Sequence, residues 1–211
     1  MGQELLVLGA EGAGKSLLIR RLKELCHNSK SATDPNVPSS IPISPPPIRS
    51  LQTGFAQLGG LPSFDPSEST IPTVGVNLSN LVISDIPLDV REIGSSMASR
   101  WDTFLPDCMA LLFVVDASDL GQLSSTSVLL YEILSNREFI IKKPIAILFN
   151  KLDLVGDPRV TLPIIYNTLR IDDLLRRNKD WSRLVVLAGS SLDVSGATVL
   201  RKWILSFLKD K

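Results

Sequence analysis

The segment between residues 9 and 16 has the residue types and spacing of a site for anionic ligands. It reads Gly-Ala-Glu-Gly-Ala-Gly-Lys-Ser, which fits the phosphate-binding pattern G-x4-G-K-[ST]. Glycines let the backbone wrap a phosphate chain, so that successive N–H groups point inward. Lys15 can bridge the terminal phosphates, and the Ser16 hydroxyl is a hard oxygen ligand of the kind that Mg²⁺ prefers. We therefore predict a triphosphate site formed by consecutive residues: Gly9, Ala10, Glu11, Gly12, Ala13, Gly14, Lys15, Ser16 and Leu17.

A second chemical motif, Asn150-Lys151-Leu152-Asp153, selects the base. An ionised Asp153 accepts two hydrogen bonds, which matches the paired N–H donors of guanine, whereas adenine lacks that pair. A site whose polar groups stay unpaired with the wrong base rejects that base strongly. Asn150 would bridge neighbouring loops, and the Lys151 stem would cover the face of the base. By itself the motif also fits an Asn helix cap followed by solvated charges, but its place after a strand favours guanine.

The elements around both motifs alternate between buried strands and helices, which is typical of a parallel sheet covered on both faces. Ligands of such a sheet bind at the carboxyl ends of the strands, where both motifs lie. The turn between the two paired strands is predicted at Ser84–Pro87, and no internal repeat is apparent. The predicted strands are 5–8, 76–83, 88–93, 110–115, 145–149 and 184–187, and helical patterns cover 17–25, 128–134, part of 164–177, and 199–208.

Composition limits the other possibilities. Lys and Arg total 22 and Asp and Glu total 22, so bulk charge gives no reason to expect binding to nucleic acid or to anionic membranes. Two cysteines do not make a disulfide framework, so a reducing compartment is the simpler interpretation. Residues 28–66 are rich in Ser and Pro, and we expect a mobile surface insertion within a single domain spanning 1–211. A proline-rich ligand at Ile43–Pro47 is the alternative interpretation of that insertion.

With these motifs the sequence resembles the Arf-like branch of the small GTPases. Pro72-Thr73-Val74-Gly75 is similar to the first switch of that branch, and Ser190-Ser191-Leu192 matches the loop that meets the guanine carbonyl. The resemblance implies the small-GTPase α/β fold, a mostly parallel six-stranded sheet with helices on both faces, and GTP or GDP bound with Mg²⁺. It further implies that Ser16 and Thr73 ligate the metal and that the Ser191 N–H donates to the base.

The stretch 91–96, Arg-Glu-Ile-Gly-Ser-Ser, departs from the W-D-x-G-G-Q pattern of the family. Aligned with it, Glu92 replaces the aspartate that holds Mg²⁺ through water, and Ser95 replaces the glycine that caps the γ-phosphate, where a positive φ would be penalised. Ser96 replaces the glutamine that orients the attacking water, so no confident catalytic residue remains and intrinsic hydrolysis should be slow. A rival register places Gly94 at the capping position and Arg91 at the metal-water position, which is chemically worse.

The resemblance also implies partners. Effectors would contact residues 73–82 and 95–104, a region in which Trp101 could serve as an exposed contact, and exchange and activating proteins would act on the same switches. Gly2 follows Met1, but Leu6 stands where a myristoylation motif needs Ser or Thr, so no direct lipid anchor is predicted. We expect a cytoplasmic monomer that partners recruit to membranes, with a role in membrane or ciliary traffic.

Two other functions stay open from the sequence. The first is an interaction module that holds nucleotide without turning it over, which the loss of the glutamine at Ser96 would explain. The second is a P-loop kinase acting on a small substrate, which would leave the residues 150–153 without a role. Competition between ATP and GTP separates a kinase from a guanine-specific protein.

Overall fold

A computed structural model describes residues 3–28, 72–136, 143–177 and 184–208 of the 211-residue chain. Within them, six strands form one sheet in the order β2-β3-β1-β4-β5-β6. The strands β2 and β3 pair antiparallel, and every other neighbouring pair is parallel. The strands are β1 (Glu4–Gly9), β2 (Val76–Ile83), β3 (Ile86–Ile93), β4 (Ala110–Asp116), β5 (Ile145–Asn150) and β6 (Leu184–Ala188).

Five α-helices cover the two faces of this sheet within the described residues: α1 (Lys15–Asn28), α2 (Leu123–Ser135), α3 (Pro158–Thr168), α4 (Ile171–Arg177) and α5 (Ser195–Leu208). A 3₁₀ segment, Ser95–Phe104, follows β3, and shorter 3₁₀ turns lie at Leu120–Gln122 and Leu152–Leu154. One buried cluster joins α1 and α5 to the sheet, and a second joins α2, α3, α4 and the 3₁₀ segment to its other face. The predicted small-GTPase α/β architecture is confirmed.

Parallel strands explain the apolar sequence runs, because both of their faces are covered. Every residue of β5 is buried, as are all residues of β4 except the terminal Asp116. Buried and exposed residues alternate in β3 and in the second half of β2, the two antiparallel strands at one side of the sheet. The carboxyl ends of β1, β4 and β5 lie side by side, and the candidate site lies at these strand ends.

Three boundaries differ from the sequence prediction. The turn after β2 is only Ser84-Asp85, both with positive φ, and β3 already begins at Ile86. Pro87 is the second residue of β3 and lies before Asp89, where the pairing with β1 begins, so its missing N–H costs no hydrogen bond to β1. The helix predicted within 164–177 is two helices, because Arg170 adopts a left-handed conformation between them. α3 starts at Pro158, where proline suits the first helical turn and Asp157 caps the helix.

Candidate functional site

The phosphate loop connects β1 to α1, as the sequence predicts for residues 9–14. Gly12 and Gly14 adopt positive φ angles of 72° and 85°, a region in which a side chain is strained. A Cβ at Gly14 would also lie 2.5 Å from the Asn150 Nδ2 atom. The loop therefore needs glycine at position 14 both for its backbone conformation and for its close approach to the end of β5.

Lys15 is the first residue of α1 and lies almost completely buried, at 6% exposure. Its Nζ donates to the carbonyl oxygens of Gly9 at 2.9 Å and Ala10 at 2.8 Å, which fold the ammonium group back over the loop. Burial lowers the pKa of Lys15, while the nearby carboxylates of Glu92 and Glu11 partly oppose that shift. A buried cation held only by neutral carbonyls is well suited to an anionic ligand, which would restore its charge balance.

Three oxygen-bearing side chains from distant parts of the chain meet beside Lys15. The Ser16 hydroxyl donates to Glu92 Oε1 at 2.6 Å, and the Thr73 hydroxyl donates to the same oxygen at 3.2 Å. The two hydroxyl oxygens lie 3.0 Å apart. Glu92 is 1% exposed, and its second oxygen, Oε2, is buried and has no hydrogen-bond partner among the residues that the structure describes. We call Ser16, Thr73 and Glu92 the oxygen cluster.

The residue before Glu92 faces a different environment. Arg91 pairs with Glu4 at 2.7 Å, and its guanidinium carbon lies 5.5 Å from the centre of the Phe104 ring. Only Glu92 reaches the two hydroxyls, which agrees with the register that places Glu92, and not Arg91, at the metal. The rival register is therefore disfavoured by the geometry.

Gly94 joins the end of β3 to the segment that carries Thr73. Its N–H donates to the Gly75 carbonyl at 2.9 Å, and a Cβ at this position would lie 2.2 Å from the Thr73 carbonyl oxygen. Ser95 begins the 3₁₀ segment and has no positive φ, so the strain expected for serine at this position does not arise. The chain turns into a helical conformation here, which any residue adopts.

A cavity of about 220 Å³ opens between the phosphate loop and the two switch-like segments. Ser96 lies on its wall, although its side chain is shorter than the glutamine of the family pattern. The lining comes from the loop, from 72–74 and from the end of β3: Glu11, Gly12, Gly14, Lys15, Ser16, Pro72, Thr73, Val74, Glu92, Gly94, Ser95 and Ser96. All three members of the oxygen cluster face this cavity.

Asn150, the last residue of β5, is completely buried and ties three loops together. Its Nδ2 donates to the Ala13 carbonyl at 2.8 Å. Its Oδ1 accepts from both the backbone N–H and the hydroxyl of Ser191, each at 2.9 Å. The bridging role predicted for Asn150 thus appears as direct hydrogen bonds between the phosphate loop and the loop after β6.

The Ser191 N–H has a protein partner, since it donates to Asn150 Oδ1. The contact with the base that the family resemblance implies for this N–H stays a prediction. The next N–H, that of Leu192, donates to the Ser190 hydroxyl at 2.9 Å. The backbone donors of Ser191 and Leu192 are therefore both satisfied by side chains, the first by Asn150 and the second by Ser190.

Asp153 and Lys151 stand at the mouth of this second region. Asp153 is exposed and accepts a hydrogen bond from the Ser190 hydroxyl, which leaves its other oxygen without a hydrogen bond from the described residues. Lys151 has a positive φ of 62° and pairs with Asp116 at 2.6 Å. Burial would raise the pKa of Asp116, but hydrogen bonds from Lys151 and Ser118 outweigh it and lower that pKa overall.

Asp116 has a role that the sequence analysis did not assign. It ends β4 next to Asn150 of β5 in the register of the sheet, and it fixes the Lys151 stem. An acidic residue at the carboxyl end of a central parallel strand was the signal available in the sequence. The sequence does not show that the backbone of Lys151 is left-handed, which turns that side chain back toward β4.

Trp101 does not serve as an exposed contact. It is 1% exposed, its Nε1–H donates to the Gly94 carbonyl at 3.3 Å, and its ring packs edge-on against Phe113. Gly2 and the proline-rich stretch Ile43–Pro47, together with all of the 28–66 insertion after residue 28, lie outside the described residues. Among the described helices none is long and apolar enough to cross a membrane.

Comparison with known proteins places this architecture in a family. Residues 62–206 match the ADP-ribosylation factor family. This chain belongs to the ADP-ribosylation factor family. It is 36% identical over 149 residues to human ADP-ribosylation factor-like protein 16, an alignment that spans 71% of this chain and 59% of the human protein. The chain thus matches less than two thirds of that relative's length.

One further sequence relative and one solved structure extend the comparison. Over 145 residues the chain is 26% identical to ADP-ribosylation factor-like protein 1 of Saccharomyces cerevisiae, covering 68% of this chain and 75% of that protein. The fold superimposes on the Arl6 (BBS3) small GTPase of Trypanosoma brucei with a TM-score of 0.68 and 17% identity, covering 100% of this chain and 99% of the other. That structure carries a bound nucleotide analogue, GppNp.

The residues of this family member fit a magnesium-bound nucleotide. The left-handed glycines leave a cradle for phosphate, Lys15 is a buried cation, and Glu92 Oε2 is a buried oxygen without a hydrogen bond. The described residues contain no cluster of three His, Cys, Asp or Glu side chains that could hold a metal by themselves. Hydroxyls and one carboxylate, completed by phosphate oxygens, are the donor set that suits Mg²⁺.

Proposed function

We propose that this protein is a guanine-nucleotide switch, which binds GTP or GDP with Mg²⁺ and changes its effector surface between the two states. The observation that carries the proposal is the continuous hydrogen-bonded path from the cavity to the base region. Asn150 contacts the phosphate loop at Ala13 and the loop after β6 at Ser191, so both ends of one ligand site are held together. Small GTPases use such a site to couple nucleotide state to partner binding.

The phosphate end would be held by the residues of the loop. Backbone N–H groups of residues 12–17 and the positive end of α1 would bind the phosphates, with Lys15 between their oxygens. The hydroxyls of Ser16 and Thr73 would ligate Mg²⁺, which neutralises phosphate charge when it is bound. Asp153 would accept the hydrogen bonds of the guanine ring, and Lys151, held by Asp116, would cover its face.

The switching element would be the Thr73 segment. Gly75 and Gly94 connect it to the end of β3 through one hydrogen bond and a backbone approach that leaves no room for a side chain. Loss of a γ-phosphate would release Thr73, and the Gly94 contact would transmit that change to residues 95–104. Effectors, exchange proteins and activating proteins would contact these two segments, as in other members of the family.

The proposal is tested by calorimetry on the full-length chain freed of nucleotide. Titration with GDP, GTP and ATP in the presence of Mg²⁺ should give tight binding of both guanine nucleotides and at least 100-fold weaker binding of ATP, because adenine lacks the paired donors for Asp153. Absence of heat with GDP and GTP, or equal binding of ATP, contradicts the proposal. Equal binding of ATP would instead favour a P-loop kinase, an alternative that family membership already disfavours.

Ser96 favours a second candidate, a module that keeps its nucleotide and never hydrolyses it. Ser96 lies on the cavity wall, but its hydroxyl ends too close to its own backbone to orient an attacking water as glutamine does. Single-turnover hydrolysis of bound GTP, with and without cell extract, distinguishes the two. Phosphate release with extract supports a switch that depends on an activating protein, whereas no release under either condition supports the locked module.

The biological setting is part of the same proposal. Family resemblance implies membrane or ciliary traffic, with a cytoplasmic protein brought to its membrane by a partner. Fractionation of cells that express the tagged full-length chain, with GTP-locked and nucleotide-free variants compared, tests this setting. Membrane association that does not depend on nucleotide state would contradict recruitment by a switch-dependent partner.

A further inference from the structure

The oxygen cluster has the dimensions of a metal-coordination face. The oxygens of Ser16, Thr73 and Glu92 form a triangle with sides of 2.6, 3.0 and 3.2 Å. In an octahedral Mg²⁺ site with metal–oxygen distances of about 2.1 Å, neighbouring ligands are about 3.0 Å apart. The triangle therefore has nearly the size of one face of such an octahedron.

Hydrogen bonds also produce oxygen separations of this size, so distances alone do not distinguish a hydrogen-bonded cluster from a metal site. The charges around the cluster distinguish them. Glu92 is 1% exposed, and among the described residues its hydrogen bonds come from two neutral hydroxyls. Its Oε2 atom is buried and has no hydrogen-bond partner among these residues. Lys15 is close enough to interact electrostatically with Glu92, but it donates to main-chain carbonyls rather than to the carboxylate. No described cation therefore contacts this buried carboxylate directly, and a divalent ion between the three oxygens would supply such a contact.

We propose that Glu92 binds the Mg²⁺ ion directly, without the intervening water that the family's shorter aspartate uses. A bridging water would have to occupy the space between the carboxylate and a metal held by both hydroxyls. Glu92 Oε1 already contacts those hydroxyls, so the carboxylate would need to withdraw from both of them to admit the water. The extra methylene of glutamate is what lets the carboxylate reach them.

Direct coordination has a consequence for the ion. A carboxylate in the first shell adds a negative charge to a site that otherwise offers two hydroxyls and phosphate oxygens, and it displaces one water. The site should then hold its metal through three protein side chains in the GTP-bound state. This inference rests on the proposed nucleotide binding, because phosphate oxygens complete the coordination shell.

Manganese is a direct probe of the inference, since Mn²⁺ replaces Mg²⁺ and is paramagnetic. The full-length protein is loaded with Mn²⁺ and GppNp in water enriched in ¹⁷O, and the broadening of the electron paramagnetic resonance lines counts the waters on the metal. We expect one water fewer in the wild type than in Glu92→Asp, in which the shorter side chain readmits the bridging water. Equal water counts in the two proteins would overturn the proposal.

Glu4→Asp is the matched control, because Glu4 is a largely buried carboxylate on the adjacent strand β1 that pairs with Arg91 away from the cavity. It should keep the wild-type water count. If Glu92→Asp fails to fold, the wild type labelled with ¹³C at its glutamate carboxyl groups gives an independent measurement. Electron–nuclear double resonance should then detect the carbon of a carboxylate that coordinates Mn²⁺, both in the wild type and in Glu11→Gln. Absence of the signal from the wild type, or its loss in Glu11→Gln, contradicts direct coordination by Glu92.

Failure of the proposed function gives a different result. If the wild type binds neither GDP nor GTP in calorimetry, the nucleotide proposal fails and direct coordination within that site fails with it. If nucleotide binds normally and the water count is unchanged by Glu92→Asp, only the direct role of Glu92 is overturned.

Discussion

The two ends of the candidate site differ in the kind of interaction that forms them. At the phosphate end, the loop backbone and α1 surround buried charges, with Lys15 and Glu92 at 6% and 1% exposure. At the base end, the carboxylate of Asp153 is exposed, and the surrounding loops are held by side-chain hydrogen bonds from Asn150, Ser190 and Ser191. The phosphate end therefore depends on buried charged side chains, whereas the base end depends on hydrogen bonds that fix the positions of its loops.

This difference predicts how each end responds to substitution. Buried charges that face a cavity contribute through electrostatics in a region of low dielectric, so their removal should cost much affinity. Hydrogen-bonded loops contribute by keeping a few acceptors in place, so changes there should alter specificity more than affinity. Asn150 belongs to both regions, because it contacts the phosphate loop on one side and Ser191 on the other.

The largest effect is expected at Lys15. Lys15→Ala removes the buried cation that lies beside the phosphate loop and faces the cavity, and leaves phosphate oxygens without that partner. We expect the affinity for GTP to fall by roughly 1,000-fold, corresponding to about 4 kcal/mol for breaking a buried ionic contact. Calorimetry measures the loss, and Lys23→Ala, an exposed position on the same helix, should bind GTP like the wild type. Retained affinity in Lys15→Ala would mean that the loop is not a phosphate site.

Asp153 should show the next largest effect, and mainly on the choice of base. Asp153→Asn replaces an acceptor by a donor, so GTP should bind roughly 100-fold more weakly, as expected for the loss of two charged hydrogen bonds. Xanthosine triphosphate, which presents an acceptor at that position, should bind more tightly than to the wild type. The ratio of the two affinities is the measurement.

Asp172→Asn, at an exposed carboxylate in the first turn of α4, controls for the loss of one negative charge. It should leave the ratio of the two affinities at its wild-type value. A wild-type ratio in Asp153→Asn as well would place Asp153 away from the base.

Much of this arrangement was predictable from the sequence because its signals are local. Apolar runs without polar interruption gave the parallel strands, since burial on both faces allows no alternation. The phosphate loop and the residues 150–153 were identified by spacing, and the place of each after a strand put both at one edge of the sheet. Glu92 was assigned to the metal region by alignment with the family, and the structure brings it against the two hydroxyls.

Other features depend on contacts that a linear pattern does not contain. The break between α3 and α4 depends on the left-handed conformation of Arg170, a residue type with no preference for it. The burial of Trp101 depends on Phe113 and on the Gly94 carbonyl reaching its ring nitrogen. The hydrogen bond from the Ser191 N–H to Asn150 depends on two residues 41 positions apart in the sequence, a contact that no local pattern shows.

The coupling between the two ends is tested by a pair of glycine substitutions. Gly12 and Gly14 both have positive φ, so alanine strains the backbone at either position. Only Gly14→Ala also places a Cβ 2.5 Å from Asn150 Nδ2, since nothing lies within 4 Å of the corresponding position at Gly12. We expect Gly14→Ala to bind GTP roughly 10-fold more weakly than Gly12→Ala, because displacing Asn150 disturbs both regions. Equal losses in the two variants would show that the ends act independently.

The smallest effect is expected at Asp116, which acts on the base end only through Lys151. The pair is partly exposed, with 12% of the Asp116 side chain and 29% of the Lys151 side chain accessible, so solvent screens it. Asp116→Asn should weaken GTP binding by only about 3-fold, because Lys151 keeps its backbone position and loses only its ion pair with Asp116. Asp119→Asn, at the partly exposed cap of the next turn, is the matched control and should leave the affinity unchanged.

The lowered pKa of Asp116 predicts how the difference in GTP affinity between wild type and Asp116→Asn changes with pH. Hydrogen bonds from Lys151 and Ser118 hold the pKa of Asp116 below its ordinary value, so its carboxylate stays ionised and paired above the ordinary aspartate pKa. The pair is lost as the pH falls through the lowered pKa of the folded state. The affinities of wild type and Asp116→Asn should therefore differ at neutral pH and converge in acid. A difference that persists in acid would mean that the asparagine disturbs the loop by its shape rather than by the missing charge.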